Sequence, residues 1–363
     1  MRYSGFLALV LCCSVAVVQK AGETPPTALL VLAKSDHALF IVNPATLAIA
    51  GQVPSGPDPH EVIASEDGKS AYISNYGGGA YNTITEVDLV NQNVSKVIDL
   101  GALRGPHGLT FVGGKVWFTA EAAKAIGSYD PATKTIDWVL GTGQDRTHMI
   151  YVFPDAQRIL TTNVSSATVT LIEKDNSSRP GFGPNPGGLL PPMTPGMPNR
   201  SVGSSPGGQM GPPQTNWKET VIPVGRGAEG FDVSPDEKEI WVANAQDGTI
   251  SIIDMASKKV VQTLDANARG ANRLKFTPDG RLVLVSTLGG PDLAIFDAAS
   301  RKEAKRVRIG RGAAGILMQP DGLRAYVACT PDDYVAVIDL KSLEMTGKLL
   351  AGRQPDGLAW VRK

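Results

Sequence analysis

The chain has 363 residues with 35 basic and 35 acidic side chains, so its formal net charge is zero. A nucleic-acid-binding protein normally carries a basic excess, and this balance argues against that class. Only three cysteines are present. Two of them, Cys12 and Cys13, lie in an N-terminal apolar run, so an internal disulfide is excluded if that run is removed.

The first residues are typical of a secretion signal. Arg2 gives a positive start, an apolar run extends from Phe6 to Val18, and Ala21 is a small residue suited to cleavage. The run is too short to cross a bilayer as a helix. We therefore predict a signal peptide over residues 1–21, a periplasmic or secreted protein, and no transmembrane span in the mature chain.

A repeat of about 42 residues follows, most clearly in the copies that begin at Gly227, Gly270 and Gly312. Each copy alternates short β-rich runs with turn residues, which is strand patterning. The position just before the first strand of each unit is held by His60, His107, His148, Glu229, Asn272, Ala314 and Asp356. Successive intervals are 47, 41, 81, 43, 42 and 42 residues. These intervals predict seven units, each near the length of a four-stranded propeller blade, with an insertion in the third.

The two ends of the chain complement each other. One strand remains after Asp356, whereas three strands precede His60 without a first strand of their own. Joining them completes one blade and removes the exposed sheet edges of a linear array. We predict an all-β, seven-bladed β-propeller over residues 28–363, with one blade closed by N- and C-terminal strands.

The insertion is predicted at 175–217. Between Pro180 and Pro213, 19 of 34 residues are Pro or Gly. Such a segment buries too little apolar surface to offset its ordering entropy, which predicts a loop. The loop would be a lid, a tether that binds a partner, or a tolerated insertion without a role.

Three segments resemble known propeller families. The segment from Ile240, IWVANAQDGTISIIDMASKKVVQTL, resembles the YVTN-type repeat of YncE-like propellers. The segment from Ile73, ISNYGGGAYNTITEVDL, resembles the seven-bladed lactonase family. The segment from Gly105, GPHGLTFVGGKVWFTAEAAKAIGSYDPATKTI, resembles virginiamycin B lyase-like and gluconolactonase-like propellers. These resemblances imply an exported ligand-binding propeller, with lactone hydrolysis or lyase chemistry in some branches.

The seven pre-strand positions should face one another around the channel, and three of the four histidines occupy them. Imidazoles with a carboxylate suit Zn²⁺ or another divalent ion, so the predicted metal ligands are His60, His107, His148 and Glu229. Without a metal, His107 or His148 would act as general base, oriented by Glu229 or Asp356. The third interpretation is a hydrated channel lined by hydrogen-bonded histidines.

A second ring lies three residues upstream. Its members are Arg104, Arg226, Arg269, Arg311 and Arg353, with Arg146 displaced by one position. Guanidinium groups bind carboxylate or phosphate through paired hydrogen bonds. We predict that these arginines, together with Asn272 and Asp356, contact an anionic ligand. The alternative is that each arginine pairs with an acid of the next blade.

Three functions stay open on these grounds. The preferred one is an exported binding module for a small anionic ligand or a partner protein. The second is a metal-assisted lactone hydrolase or lyase that uses His107, His148 and Glu229, with a divalent ion as its cofactor. The third is a cell-envelope scaffold whose proline-rich loop docks a partner.

Overall fold

A computed structural model describes residues 23–175 and 216–362. These residues form seven four-stranded antiparallel sheets, and the innermost strands of successive sheets contact one another around a ring. The predicted all-β, seven-bladed propeller is confirmed. The predicted signal peptide over 1–21 and residues 176–215 of the predicted insertion lie outside the described residues.

The strands of the described residues follow in chain order. They are β1 (Thr27–Ala33), β2 (Ala38–Val42), β3 (Ile49–Pro54), β4 (Pro59–Ala64), β5 (Ser70–Asn75), β6 (Thr83–Asp88), β7 (Asn93–Asp99), β8 (Pro106–Val112), β9 (Lys115–Ala120), β10 (Ala125–Asp130), β11 (Thr135–Gly141), β12 (Thr147–Val152), β13 (Arg158–Asn163), β14 (Thr168–Asp175), β15 (Asn216–Pro223), β16 (Ala228–Val233), β17 (Glu239–Asn244), β18 (Thr249–Asp254), β19 (Lys259–Asp265), β20 (Ala271–Phe276), β21 (Leu282–Thr287), β22 (Asp292–Asp297), β23 (Lys302–Arg308), β24 (Ala313–Met318), β25 (Arg324–Cys329), β26 (Tyr334–Asp339), β27 (Glu344–Leu349) and β28 (Pro355–Arg362). Short 3-10 turns cover Gly77–Gly79, Glu121–Ala123 and Thr330–Asp332. Within the described ranges, no helix has the length and apolar character needed to cross a membrane.

Blades 1 to 6 are built from consecutive groups of four strands, beginning with β4–β7 and ending with β24–β27. Blade 7 has the order β28, β1, β2, β3, so the C-terminal strand is its innermost member. Leu29 of β1 lies opposite Trp360 of β28 in this antiparallel pair. The predicted closure by strands from both ends of the chain is therefore observed.

The hydrophobic core lies between neighbouring sheets. Trp241 and Ile252 of blade 4, for example, pack in one buried cluster with Leu274, Phe276 and Val285 of blade 5. Burying each such side chain contributes on the order of 1.5–3 kcal/mol. The second strand of each blade is almost continuously buried, whereas the outermost strands alternate between exposed and covered positions. This packing fixes the rotation of each blade, and hence which inner-strand residues meet at the channel.

Hydroxyl groups on second strands tie neighbouring inner strands together. The Thr119 hydroxyl accepts a hydrogen bond from the backbone N–H of Gly108 in its own blade, at 2.9 Å. It donates another to the carbonyl oxygen of His148 in the next blade, at 2.7 Å. Ser74, Thr162 and Ser286 make the corresponding pairs of bonds in blades 1, 3 and 5. These bonds set the height at which the residues of neighbouring blades face the channel.

Blade 3 contains the insertion. Its third strand, β14, ends at Asp175, and its fourth strand, β15, begins at Asn216. These two residues lie opposite each other in an antiparallel pair. The chain therefore leaves blade 3 and returns to it at adjacent points.

Candidate functional site

The ring of seven repeat positions is present, although the strands begin two residues earlier than the sequence suggests. Each ring residue is the second residue of its innermost strand; these strands are β4, β8, β12, β16, β20, β24 and β28. The residue before each strand has a positive φ, as Gly105 (70°) and Gly227 (75°) illustrate. Because this left-handed residue ends the turn, the strand starts immediately after it. The seven positions thus belong to inner strands and converge on one mouth of the channel.

The three ring histidines form a continuous row. The ring centroids of His60 and His107 are 5.0 Å apart, and those of His107 and His148 are 3.9 Å apart. Tyr76 packs edge-on against His60 at 4.8 Å and against His107 at 5.0 Å. Residues separated by 47 and 41 positions in the chain are therefore direct neighbours.

His148 lies between two carboxylates. Its Nδ1 bonds to Glu121, and its Nε2 lies 2.8 Å from Oε2 of Glu229. Burial alone would lower the pKa of His148, but Glu229 and Glu121 outweigh it and raise that pKa. The pKa of Glu229 falls to about 2, because His148 outweighs the opposing effect of burial. The arrangement therefore favours an imidazolium at His148 and ionised carboxylates at Glu121 and Glu229.

Glu121 extends this network towards solvent. The hydroxyl of Tyr76 donates to its Oε2 at 2.5 Å, and Nε of Arg146 lies 3.6 Å from the same oxygen. Glu121 itself is buried, with 3% of its side chain exposed, whereas 44% of the Arg146 side chain is exposed. Burial would raise the pKa of Glu121, but His148, Tyr76 and Arg146 together outweigh it and lower that pKa. Arg146 thus lies between solvent and the buried charges.

His107 differs from its two neighbours. It is 3% exposed, and neither of its ring nitrogens has a hydrogen-bond partner among the described residues. Burial, followed by the positive charge of His148, lowers its pKa well below the ordinary value. His107 is therefore an uncharged, buried imidazole whose polar atoms are unsatisfied by this part of the chain.

The other side of the mouth carries a second charged cluster. Nζ of Lys34 lies 2.8 Å from Nε2 of His60 and 3.3 Å from Oδ2 of Asp356. Asp58 lies 3.4 Å from the same nitrogen of His60. Burial and the nearby Lys34 charge lower the pKa of His60 to about 4. Burial also raises the pKa of Asp356. His60 is therefore held uncharged beside a lysine and two carboxyl groups.

An ion pair spans the channel one residue further along the inner strands. Arg273 of blade 5 binds Glu61 of blade 1 through Nη2. Blades 6 and 7 separate these two on one side, and blades 2 to 4 on the other. Nη1 of Arg273 donates to Oδ1 of Asn272 at 2.6 Å, so this predicted ligand-binding amide is already engaged. The pair forms a charged floor beneath the ring histidines.

Three of the six predicted rim arginines are tied to aspartates. Nε of Arg226, Arg311 and Arg353 lies 2.7–2.8 Å from Asp247, Asp332 and Asp36. Each aspartate also accepts the backbone N–H of its arginine. These acids belong to the same blade as their arginine, which corrects the alternative that placed them in the next blade. Their main contribution is to hold the loops that precede the inner strands.

The remaining rim arginines are Arg104, Arg146 and Arg269. All three are exposed. In the part of the chain that the structure describes, Arg104 and Arg269 form no side-chain ion pair within 4 Å. Arg146 occupies the left-handed position, with φ 54°, where four of the other six blades have glycine. Its one-residue displacement brings its guanidinium to the histidine row.

The predicted metal ligands do not converge on a common centre. His148 has carboxylates on both ring nitrogens, and His60 faces Lys34. Over residues 23–175 and 216–362, no group of three or more His, Cys, Asp or Glu side chains is arranged to hold a metal ion. The metal set His60, His107, His148 and Glu229 stays a prediction that this geometry does not favour.

Five residues of the site share two repeat positions that were not followed in the sequence. Lys34, Tyr76 and Glu121 share one repeat position, the residue that directly follows the second strand of its blade. Glu61 and Arg273 share another, the residue directly after the ring position. Following the repeat at these two further positions would have revealed all five.

Comparison with known proteins supports the fold and leaves the chemistry open. A family model described as the Cytochrome D1 heme domain matches residues 200–322, about a third of the chain. The matched stretch contains none of the four histidines. No curated protein matches the sequence.

Several solved structures superpose over most of the chain. A protein of unknown function from Desulfotomaculum acetoxidans has a TM-score of 0.70 and 13% identity, covering 92% of this chain and 99% of that one. A presumed 6-phosphogluconolactonase of Bacteroides fragilis has a TM-score of 0.66 and 16% identity, covering 92% and 98%. The dihydro-heme d1 dehydrogenase NirN, in complex with DHE, has a TM-score of 0.60 and 16% identity, covering 95% and 78%. At such identities the likeness shows the fold alone, a seven-bladed propeller with lactonase-like and heme d1-binding neighbours.

Proposed function

We propose that this protein is an exported binding propeller that holds a small anionic ligand at the mouth of its central channel. The anion contacts Arg146, with Arg104 beside it, and the rest of the ligand extends towards the histidine row. The proposal of export rests on the N-terminal pattern, and the proposal of a ligand rests on the geometry of the mouth.

The state of Arg146 is the observation that carries this proposal. Its nearest carboxylate oxygen is 3.6 Å away, beyond the range of a good hydrogen bond, and nearly half of its side chain is exposed. By contrast, Arg311 and Arg353 are held by aspartates at 2.7–2.8 Å. Arg146 therefore keeps donors available for an incoming carboxylate or phosphate.

Arg104 can act on the same anion. Its carbonyl oxygen accepts the backbone N–H of Ala122 at 3.2 Å, in the turn that also carries Glu121. Arg104 and Arg146 thus flank one turn. The carboxylates of Glu121 and Glu229 lie against His148 and Arg146, and Arg104 adds a further positive charge beside them.

Calorimetric titration with D-gluconate tests the proposal. Replacing Arg146 removes a charge-assisted contact of about 1.5–3 kcal/mol, so Arg146→Ala should weaken binding roughly 10- to 150-fold. Arg311→Ala is the matched control, because its guanidinium is engaged by Asp332, and we expect it to change affinity less than about threefold. An affinity equally reduced in both variants, or no binding by the unaltered protein, would contradict a site at Arg146.

Hydrolysis of a lactone is the second candidate. It is favoured by the 2.8 Å contact between His148 and Glu229 and by the lactonase-like neighbours. Because the pKa of His148 is raised, this residue would donate a proton to the ring oxygen as the acyl bond to that oxygen breaks. The attacking water would lose its proton to Glu229, giving a hydroxy acid. Turnover of glucono-δ-lactone above the spontaneous rate, abolished by Glu229→Gln, would favour this candidate.

A further inference from the structure

The remaining polar feature of the mouth is His107. We infer that His107 is a specificity-determining residue that hydrogen-bonds an uncharged hydroxyl group of the ligand, so that the site selects hydroxylated carboxylates over plain carboxylates. This inference rests on the proposed anion site at Arg146 and adds the chemical class of the rest of the ligand.

The first argument is the lack of a partner. Both nitrogens of His107 lack a hydrogen bond among the described residues, and Nδ1 is completely buried. An unsatisfied buried polar group is costly, so native proteins nearly always provide it with a partner. A ligand group at this position would remove that cost on binding.

Among the polar ring residues that the structure describes, His107 is the one that lacks a hydrogen bond or ion pair. The other five each have a hydrogen bond or ion pair; they are His60, His148, Glu229, Asn272 and Asp356. Ala314 is apolar. General hydration of the channel would leave several ring residues unpaired, whereas here a single position lacks its partner.

Three aromatic rings pack around His107. His148 approaches at 3.9 Å between centroids and His60 at 5.0 Å, while Tyr76 packs at 83° to the His107 ring. The nitrogens of an imidazole lie at its edge, where hydrogen bonds form.

The chemistry of an uncharged imidazole selects the ligand group. One of its nitrogens donates and the other accepts, and a hydroxyl can serve either. A carboxylate only accepts, and it is better placed at Arg146. Arg146 reaches His107 through Glu121 and His148, which are contacts of one continuous network. A single small molecule with a carboxylate at one end and hydroxyl groups along its chain would satisfy both residues.

Two probes of equal charge and carbon number separate this inference from the proposed function. D-Gluconate carries hydroxyl groups along its chain, and hexanoate carries none. We expect the unaltered protein to bind gluconate at least tenfold more tightly than hexanoate. His107→Phe should remove that preference, whereas Arg146→Ala should weaken whichever of the two acids binds.

Two further measurements guard against a misfolded variant. His107→Asn keeps a donor and an acceptor, and we expect it to retain part of the preference for gluconate. In the unaltered protein, gluconate should shift the ¹⁵N resonances of His107, and hexanoate should not. Equal affinity for the two acids, with unmoved His107 resonances, would overturn the inference while leaving the anion site standing. Failure of both acids to bind would contradict the anion site itself.

Discussion

Single charged residues at the channel mouth are costly to bury. Glu121, His148 and Arg273 are each at most 8% exposed, and the direction of each pKa shift favours the ionised form. Removing such groups from water costs several kcal/mol per ion, which their mutual attraction only partly returns. Strongly perturbed titratable groups in a cleft are characteristic of functional sites. The same groups make the stability of the protein sensitive to pH.

The carboxylate of Glu229 should contribute to stability in a definite pH range. Its pKa is about 2 in the folded chain, against an ordinary value of 4.5. The depressed value means that the contribution is complete above about pH 4.5 and is lost as the pH falls through 2. We expect Glu229→Gln to unfold at lower urea concentration at pH 7 and to lose less stability than the unaltered protein on acidification.

Glu66→Gln provides the control, because Glu66 is exposed and its side chain forms no ion pair within the described residues. Its urea midpoints should follow those of the unaltered protein at every pH. Parallel acid curves for the Glu229 variant and the unaltered protein would show that Glu229 is not ionised against His148.

At the scale of elements, close approach of neighbouring inner strands positions the ring. Gly108 of β8 follows His107, and a Cβ on it would lie 2.6 Å from the carbonyl oxygen of His148 and 2.8 Å from Cα of Met149. Both atoms belong to the backbone of β12, so neither can move aside as a side chain would. Glycine here allows His107 and His148 to stack.

Gly108→Ala should therefore separate the two strands. Overpacking of this kind costs typically 1–3 kcal/mol, and the separation should also weaken gluconate binding. Gly141→Ala is matched to it, because Gly141 lies in β11 of the same blade and a Cβ there meets nothing within 4 Å. Thermal unfolding of the two variants checks the expectation. Equal melting temperatures would contradict the expectation, because they would show that β8 and β12 accommodate the added methyl group.

Much of the element structure follows from the sequence alone. The spacing of the seven repeat positions predicts the blade count. It also predicts that the rings of His60, His107 and His148 converge, because one repeat position maps to one height in the channel. The partners of the rim arginines do not follow from spacing. Asp36, for example, is 317 positions from Arg353 and meets it only because blade 7 is closed by both ends of the chain. Pairings of this kind depend on side-chain reach across loops, which a repeat pattern does not encode.

At the scale of the whole molecule, ring closure turns seven repeated strands into one asymmetric site. Blades 2 and 3 present Arg104, Arg146 and the partnerless His107, whereas blades 7 and 1 present Lys34 and its carboxyl partners. The Arg273–Glu61 pair spans the channel beneath both clusters. The mouth therefore presents two arginines, an imidazole able to form hydrogen bonds and, beneath them, the Arg273–Glu61 ion pair.

A crystal structure of the protein grown with saturating D-gluconate tests this account most directly. We predict electron density in the mouth, with the carboxylate within hydrogen-bond distance of Arg146 and a hydroxyl within that distance of a His107 nitrogen. Gluconate bound elsewhere on the propeller, or a mouth that stays filled with water alone at saturation, would contradict it.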